Sequence, residues 1–180
     1  GIEITGRTVG IIGLGRIGKN VARLLRGFDT KTIFYDAMEV PRAVQKELKV
    51  EPASFETVLG ESDFVTLHVA LTSRTRKLIG ERELRMMKST AYFINTCRGP
   101  TVDEAALIRT LSQRRIAGAA LDVFEQEPVD PDNPLLKMDN VIVSPHSAGA
   151  SVVARASAER RLGEEAARIL NGTWPMSLVN

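Results

Sequence analysis

The chain has 180 residues, enough to bury one substantial core and short for two domains. Its 24 Lys and Arg against 22 Asp and Glu leave a formal net charge of +2, spread along the chain, which argues against a nucleic-acid surface. No apolar run nears the roughly 18 residues needed to cross a bilayer, so no membrane partner is expected. The single Cys97 rules out an internal disulfide and suits a reducing, cytoplasmic setting; with only two histidines beside it, no metal site is expected.

Short apolar runs that read as strands alternate with stretches at helical spacing. Residues 8–12 form a strand, 16–26 a helix, 32–35 a second strand, and 44–48 are helical. A strand follows over 64–69, with His68 inside it as a structural residue, then a loop and a short helix at 81–87. Strand 91–95, helix 103–112 with Ala106, Leu107 and Leu111 on one side, strand 116–121 and strand 141–143 complete the alternation. These strands are continuously apolar, as expected when helices cover both faces of a parallel sheet, and the alternation predicts a doubly wound α/β fold. Three prolines within 127–134 mark a surface loop. From 150 to 170 the chain reads as one helix, stopped by Asn171-Gly172, in which Arg155, Arg160 and Arg161 alternate with Glu159, Glu164 and Glu165 as a solvated face.

Between the first strand and its helix stands GLGRIG, a GxGxxG pattern. Gly13 permits a tight turn, Gly15 lets backbone amides approach a pyrophosphate, and Gly18 allows close helix–strand packing. The helix start then offers unpaired N–H groups and partial positive charge to the anion, with Arg16 either adding a direct contact or standing solvated. Asp36 ends the next strand, 18 residues beyond Gly18, where a carboxylate accepts the adenosine ribose hydroxyls and repels a 2′-phosphate. The nearest following cation is Arg42. This is a Rossmann-type dinucleotide site, and NAD is favoured over NADP.

Ligands in open α/β sheets lie beyond the carboxyl ends of the strands. Three later strands carry polar residues there: Arg98, Asp122 and His146. Singly, each also reads as bland: a surface arginine, a loop cap, a histidine after a proline turn. Their joint occurrence at one edge points to a site.

The segments at 10–18, NTCRG at 95–99, GAALDVFEQEP at 118–128, SPHSAG at 144–149 and VDEAAL at 102–107 together resemble the D-isomer-specific 2-hydroxyacid dehydrogenase family. The resemblance covers almost the whole chain and is nearest to the phosphoglycerate, hydroxypyruvate and glyoxylate members. It implies hydride transfer between NAD and a small 2-hydroxy or 2-keto acid. By the same resemblance, Arg98 holds the substrate carboxylate and keto oxygen, His146 exchanges a proton with that oxygen, and Glu127 pairs with the imidazole, orients it and favours its protonated form. The formate dehydrogenase branch has Gln at the position of Glu127, so the acid argues against that chemistry. For the cofactor, the resemblance places Arg16 and Ile17 at the pyrophosphate, Val69 and Ala70 near adenosine, Thr96 and Cys97 near the nicotinamide, which Arg98 and His146 face, and Asp122 on its carboxamide; Gly149 closes the last motif. A nucleophilic role for Cys97 is not expected.

The resemblance also carries expectations about what this chain lacks. Residues 1–149 read as the dinucleotide-binding domain, and 150–180 as a C-terminal helix and tail, including 174–180, that return to an absent substrate domain. The isolated chain is therefore expected to bind NAD and to turn over poorly. Ser147-Ala148 stands where an apolar residue is common in the family. A homodimer through this domain is expected. The competing reading is a binding module of the corepressor type, which shares the fold and uses NAD to control partner association; an intact Arg98, Glu127 and His146 do not separate the two.

Overall fold

The computed structural model describes residues 2–176, so positions 177–180 of the expected tail lie outside the described residues. The chain divides into two compact units between Pro145 and His146. The first holds seven strands, β1 (Thr8–Ile12), β2 (Lys31–Tyr35), β3 (Glu51–Pro52), β4 (Phe64–Leu67), β5 (Tyr92–Asn95), β6 (Gly118–Leu121) and β7 (Val141–Val143). Its helices are α1 (Arg16–Leu25), α2 (Arg42–Leu48), α3 (Phe55–Glu61), α4 (Glu81–Met86) and α5 (Glu104–Ser112). The strands form one parallel sheet in the order β3-β2-β1-β4-β5-β6-β7. The chain works outward from β1 to β3, then crosses back to β4 on the other side of β1, which creates a switch point between β1 and β4.

Alternate residues of the strands feed two cores. Val9, Ile11 and Phe34 pack with Ala22 and Leu25 of α1 and Leu48 of α2. Ile12, Ile33, Val65, Leu67 and Phe93 pack with Val58 and Leu59 of α3, Leu84 of α4, and Ala106, Leu107 and Leu111 of α5. That division puts α1 and α2 on one face of the sheet and α3, α4 and α5 on the other.

Helices lie on both faces of the sheet, as expected, but unevenly. Past β1, every helical crossover lies on the α3–α5 side, and the link from β6 to β7 contains only a 3-10 turn at Pro134–Lys137. Among the described residues of the first unit, no helix covers the opposite face of β4–β7. Phe64, Tyr92, Ile94, Ala120 and Ile142, with Ile2, line a groove of about 510 Å³ there, and Ile142 on the edge strand is 75% exposed.

Other differences are local. β3 and α3 were not anticipated. The fourth strand stops at Leu67, so His68 and Val69 lie just beyond it rather than inside. At the opposite end of the same strand, Asp63 ties the sheet together. Its Oδ2 accepts the Thr8 N–H at 2.9 Å and its Oδ1 accepts from Lys88 Nζ at 3.0 Å. Desolvation pushes this carboxyl upward, but the Thr8 amide, Lys88 and Arg7 together hold it below the ordinary value of 3.8.

The second unit is built on α6 (Val152–Leu170). Ser151 caps it, its hydroxyl accepting the Ala154 N–H at 3.0 Å, which is why residue 150 is excluded. No residue of α6 is buried. Its apolar side chains, among them Val152, Leu162, Ile169 and Leu170, are exposed. Among the described residues no helix is long and apolar enough to cross a membrane.

Candidate functional site

Strand register builds the site. Tyr35 pairs with Ile12, Ile12 with Leu67, Leu67 with Asn95, Asn95 with Leu121, and Leu121 with Val143. The next residue of each strand therefore stands in one row along the carboxyl edge: Asp36, Gly13, His68, Thr96, Asp122 and Ser144. At about 4.8 Å per strand, the row is roughly 24 Å long.

At the first end, the glycines are required by packing. Gly13 adopts φ +93°, and a Cβ on it would stand 2.6 Å from the His68 carbonyl oxygen. A Cβ on Gly18 would overlap the Gly13 carbonyl, so α1 can approach β1 this closely only without one. Gly15 is different, with open space where its side chain would be. It is also the N-cap of α1 and offers no side-chain acceptor to the first-turn amides, which leaves them to an anion. Asp36 is bound to this turn. Its Oδ2 accepts the Leu14 N–H at 2.6 Å and its Oδ1 the Met38 N–H at 2.9 Å. A carboxylate has about four lone-pair positions, so two remain for ribose hydroxyls. These residues fit a dinucleotide.

After β4 the chain passes half-buried Val69 and exposed Ala70, whose carbonyl accepts the Thr75 hydroxyl at 2.6 Å. Burial pushes His68 down, which keeps its imidazole neutral, and its Nε2 lies 3.0 Å from Thr66 Oγ1. That environment suits a structural residue.

The turn after β5 is held from below. Asn95 is fully buried; its Oδ1 accepts the Cys97 N–H at 3.0 Å and its Nδ2 donates to the Arg98 carbonyl at 3.2 Å. The Thr101 hydroxyl donates to the same carbonyl at 2.5 Å. Thr96 is half-buried and Cys97 buried, while Arg98 stands out from the turn, its Nη1 donating to the Cys97 carbonyl at 2.6 Å. Beyond β6, Asp122 is only 3% exposed, and the Ser144 hydroxyl donates to its Oδ1 at 2.5 Å. Glu127 is exposed on the following loop, its Oε1 accepting the Phe124 N–H at 3.0 Å.

The first unit thus brings together Asp36, the glycine turn, Val69, Ala70, Thr96, Cys97, Arg98, Asp122 and Glu127. His146 and Gly149 belong to the second unit. His146, exposed, has φ +51°, a left-handed backbone uncommon for a residue with a side chain. Among the described residues, no group of three or more His, Cys, Asp or Glu is placed to hold a metal. Sequence reasoning passed over Asn95, Thr101 and Ser144. A buried amide closing an apolar strand was the available signal for the first; Thr101 and Ser144 gave none, because what they hold is set by the fold.

Residues 1–148 match the family described as D-isomer specific 2-hydroxyacid dehydrogenase, NAD binding domain. The chain belongs to this family. The chain is 48% identical to a glyoxylate reductase of Korarchaeum cryptofilum over 100% of its own length and 54% of the relative. It is 40% identical to a D-3-phosphoglycerate dehydrogenase of Methanocaldococcus jannaschii, over 100% of this chain and 34% of the relative. A crystal structure of D-lactate dehydrogenase with NAD+ from Lactobacillus jensenii superposes with a TM-score of 0.91 at 34% identity, covering 99% of this chain and 57% of that one. The domain spans about half the length of the glyoxylate reductases it matches. The chain is thus an NAD-binding domain, and the doubly wound fold is that of this family.

Proposed function

We propose that the protein containing this domain interconverts a small D-2-hydroxy acid and its 2-keto acid, with Arg98, Glu127 and His146 as its reacting groups. The observation that carries the reading is the strand-tip row, in which a dinucleotide-binding turn and the bases of the Arg98 and Asp122 loops share one edge of one sheet. Bound NAD supplies the hydride carrier. Gly13, Gly15, Arg16, Ile17 and Gly18 hold its pyrophosphate, Asp36 its ribose, and Val69 and Ala70 flank the adenosine. Thr96, Cys97 and Gly149 line the nicotinamide end, where Asp122 accepts from the carboxamide.

Arg98, exposed at the tip of its turn with Nη1 on the Cys97 carbonyl, offers the remaining N–H groups of its planar fork to a carboxylate and the adjacent keto oxygen. His146 is tethered two residues beyond Ser144 and gives a proton from its ring nitrogen to the keto oxygen in reduction, taking it back in oxidation. Glu127 pairs with the imidazole and stabilises the charged form. Glyoxylate reductases and a phosphoglycerate dehydrogenase among the relatives favour short, anionic substrates. Residues 1–149 act as the cofactor domain, 150–180 as the link onward, and turnover requires the remaining length that the relatives have; this chain alone binds NAD and turns over poorly. The bare groove over β4–β7 and exposed Ile142 support a homodimer, and a buried free thiol at Cys97 supports a reducing, cytoplasmic setting.

Steady-state reduction of glyoxylate and hydroxypyruvate by NADH in the complete protein tests this. His146→Gln is expected to lower kcat by about a thousandfold, within the range for a general acid, while NADH affinity measured by fluorescence titration stays unchanged. A His146→Gln protein with full activity would reject the assignment.

A further inference from the structure

Glu127 sits on an irregular loop between β6 and the 3-10 turn at Pro134–Lys137, and what fixes that loop lies on α5. Glu104, the first residue of α5, accepts the Glu125 N–H at 2.8 Å through Oε2 and the Asn133 side-chain amide at 2.7 Å through Oε1. The two anchor points bracket Glu127, one two residues before it and the other six after. The Glu125 carboxylate returns the contact, its Oε2 accepting the Glu104 N–H at 3.4 Å. That amide belongs to the first turn of α5 and has no partner within the helix.

Two carboxylates side by side need compensation. Lys77 Nζ provides it, 3.6 Å from Glu125 Oε1 and 3.5 Å from Oδ2 of Asp103, the residue that caps α5. The positive end of α5 adds to it. From the other side, the loop presses on the turn that bears Arg98. A Cβ on Gly99 would overlap the Phe124 carbonyl, so backbone meets backbone there with no side chain between. The acid's loop is therefore clamped between α5 and the arginine's turn.

We propose that Glu104 is a positioning residue for the reaction, pinning residues 125 and 133 so that Glu127 is held where the imidazole needs it. This rests on the reading of Glu127 given above. Glu104 itself touches neither substrate nor cofactor.

The test is a double-mutant cycle in the complete enzyme, following kcat for keto-acid reduction and NADH affinity. Glu127→Gln is expected to lower kcat by about a hundredfold and Glu104→Ala by about tenfold, with NADH affinity unchanged in both. The double variant is expected to be no slower than Glu127→Gln, because a residue that acts only through Glu127 has nothing left to position. Multiplicative losses, or an unaffected Glu104→Ala, overturn the proposal. Full activity in Glu127→Gln overturns the reading of Glu127 and the proposal with it, so the two failures are told apart. Asn133→Ala frees one anchor without touching α5 and serves the same cycle should Glu104→Ala fail to fold. A loss of about threefold that vanishes in the Glu127→Gln background supports the proposal, and one that persists there overturns it.

Discussion

Asp36 and Asp63 are carboxylates at opposite edges of the same sheet, and each accepts a backbone amide from β1 or the turn that follows it. Their second oxygens separate them. Asp63 gives its other oxygen to the Lys88 ammonium, which neutralises it and closes the arrangement. Both hydrogen-bond partners of Asp36 are backbone amides, so its charge is oriented without being cancelled. The amino-terminal edge of the sheet is finished by its own side chains, and the carboxyl edge is left with acceptor capacity and open helix amides. The two acids differ in whether the protein completes their coordination.

The largest break in that contrast is expected from Asp36→Ala. At about 5 Å and an effective dielectric near 20, the carboxylate opposes a 2′-phosphate by roughly 3 kcal/mol per unit charge. Its removal is expected to narrow the preference for NAD over NADP by about a hundredfold, read by calorimetric titration with both coenzymes. The glycine turn sharpens the contrast at the carboxyl edge. Gly18→Ala drives a methyl into the Gly13 carbonyl and is expected to destabilise the domain by about 2 kcal/mol in urea melts. Gly15→Ala meets nothing within 4 Å and is expected to leave the urea midpoint within about 0.5 kcal/mol while weakening NAD.

A smaller effect than that of Gly18→Ala belongs to the closed acid. Asp63→Asn is expected to cost about 1 kcal/mol at neutral pH, since Lys88 is partly exposed and its charge screened. Because the folded carboxyl lies below 3.8, its contribution is complete above that value and disappears as pH falls below it. Thermal melts of both proteins from pH 7 to pH 2 are expected to converge at the acid end; a gap that persists at pH 2 would show that the Asp63 charge is not its source.

What was legible in the sequence follows from how each element is stabilised. β1, β2, β4 and β6 carry apolar runs buried on one or both faces, and such runs read as strands. β3 is the two residues Glu51 and Pro52, and α3 buries only the adjacent pair Val58 and Leu59, so neither shows a period. The bare face of β4–β7 was not legible because Tyr92, Ile94 and Ile142 are as apolar as core residues, and composition does not say which neighbour supplies the cover. Arg98, Asp122 and His146 stood out as polar types just past strands, and Glu127 only through the family resemblance. Glu104 and Asn133 were not, because each acts on a contact 21 or 29 positions away that exists only once α5 stands beside the loop.

The strand-tip row carries a consequence for folding. Its six positions come from strands that pair only with partners at least 18 residues distant, so no fragment of the row survives in the unfolded chain. A coenzyme that recognises the assembled row has nothing to hold before β1, β4, β5 and β6 have docked. Saturation a hundredfold above its dissociation constant then adds about 2.7 kcal/mol to the folded state. Supply of NAD in the cell thereby shifts, through mass action, the fraction of this domain that is folded.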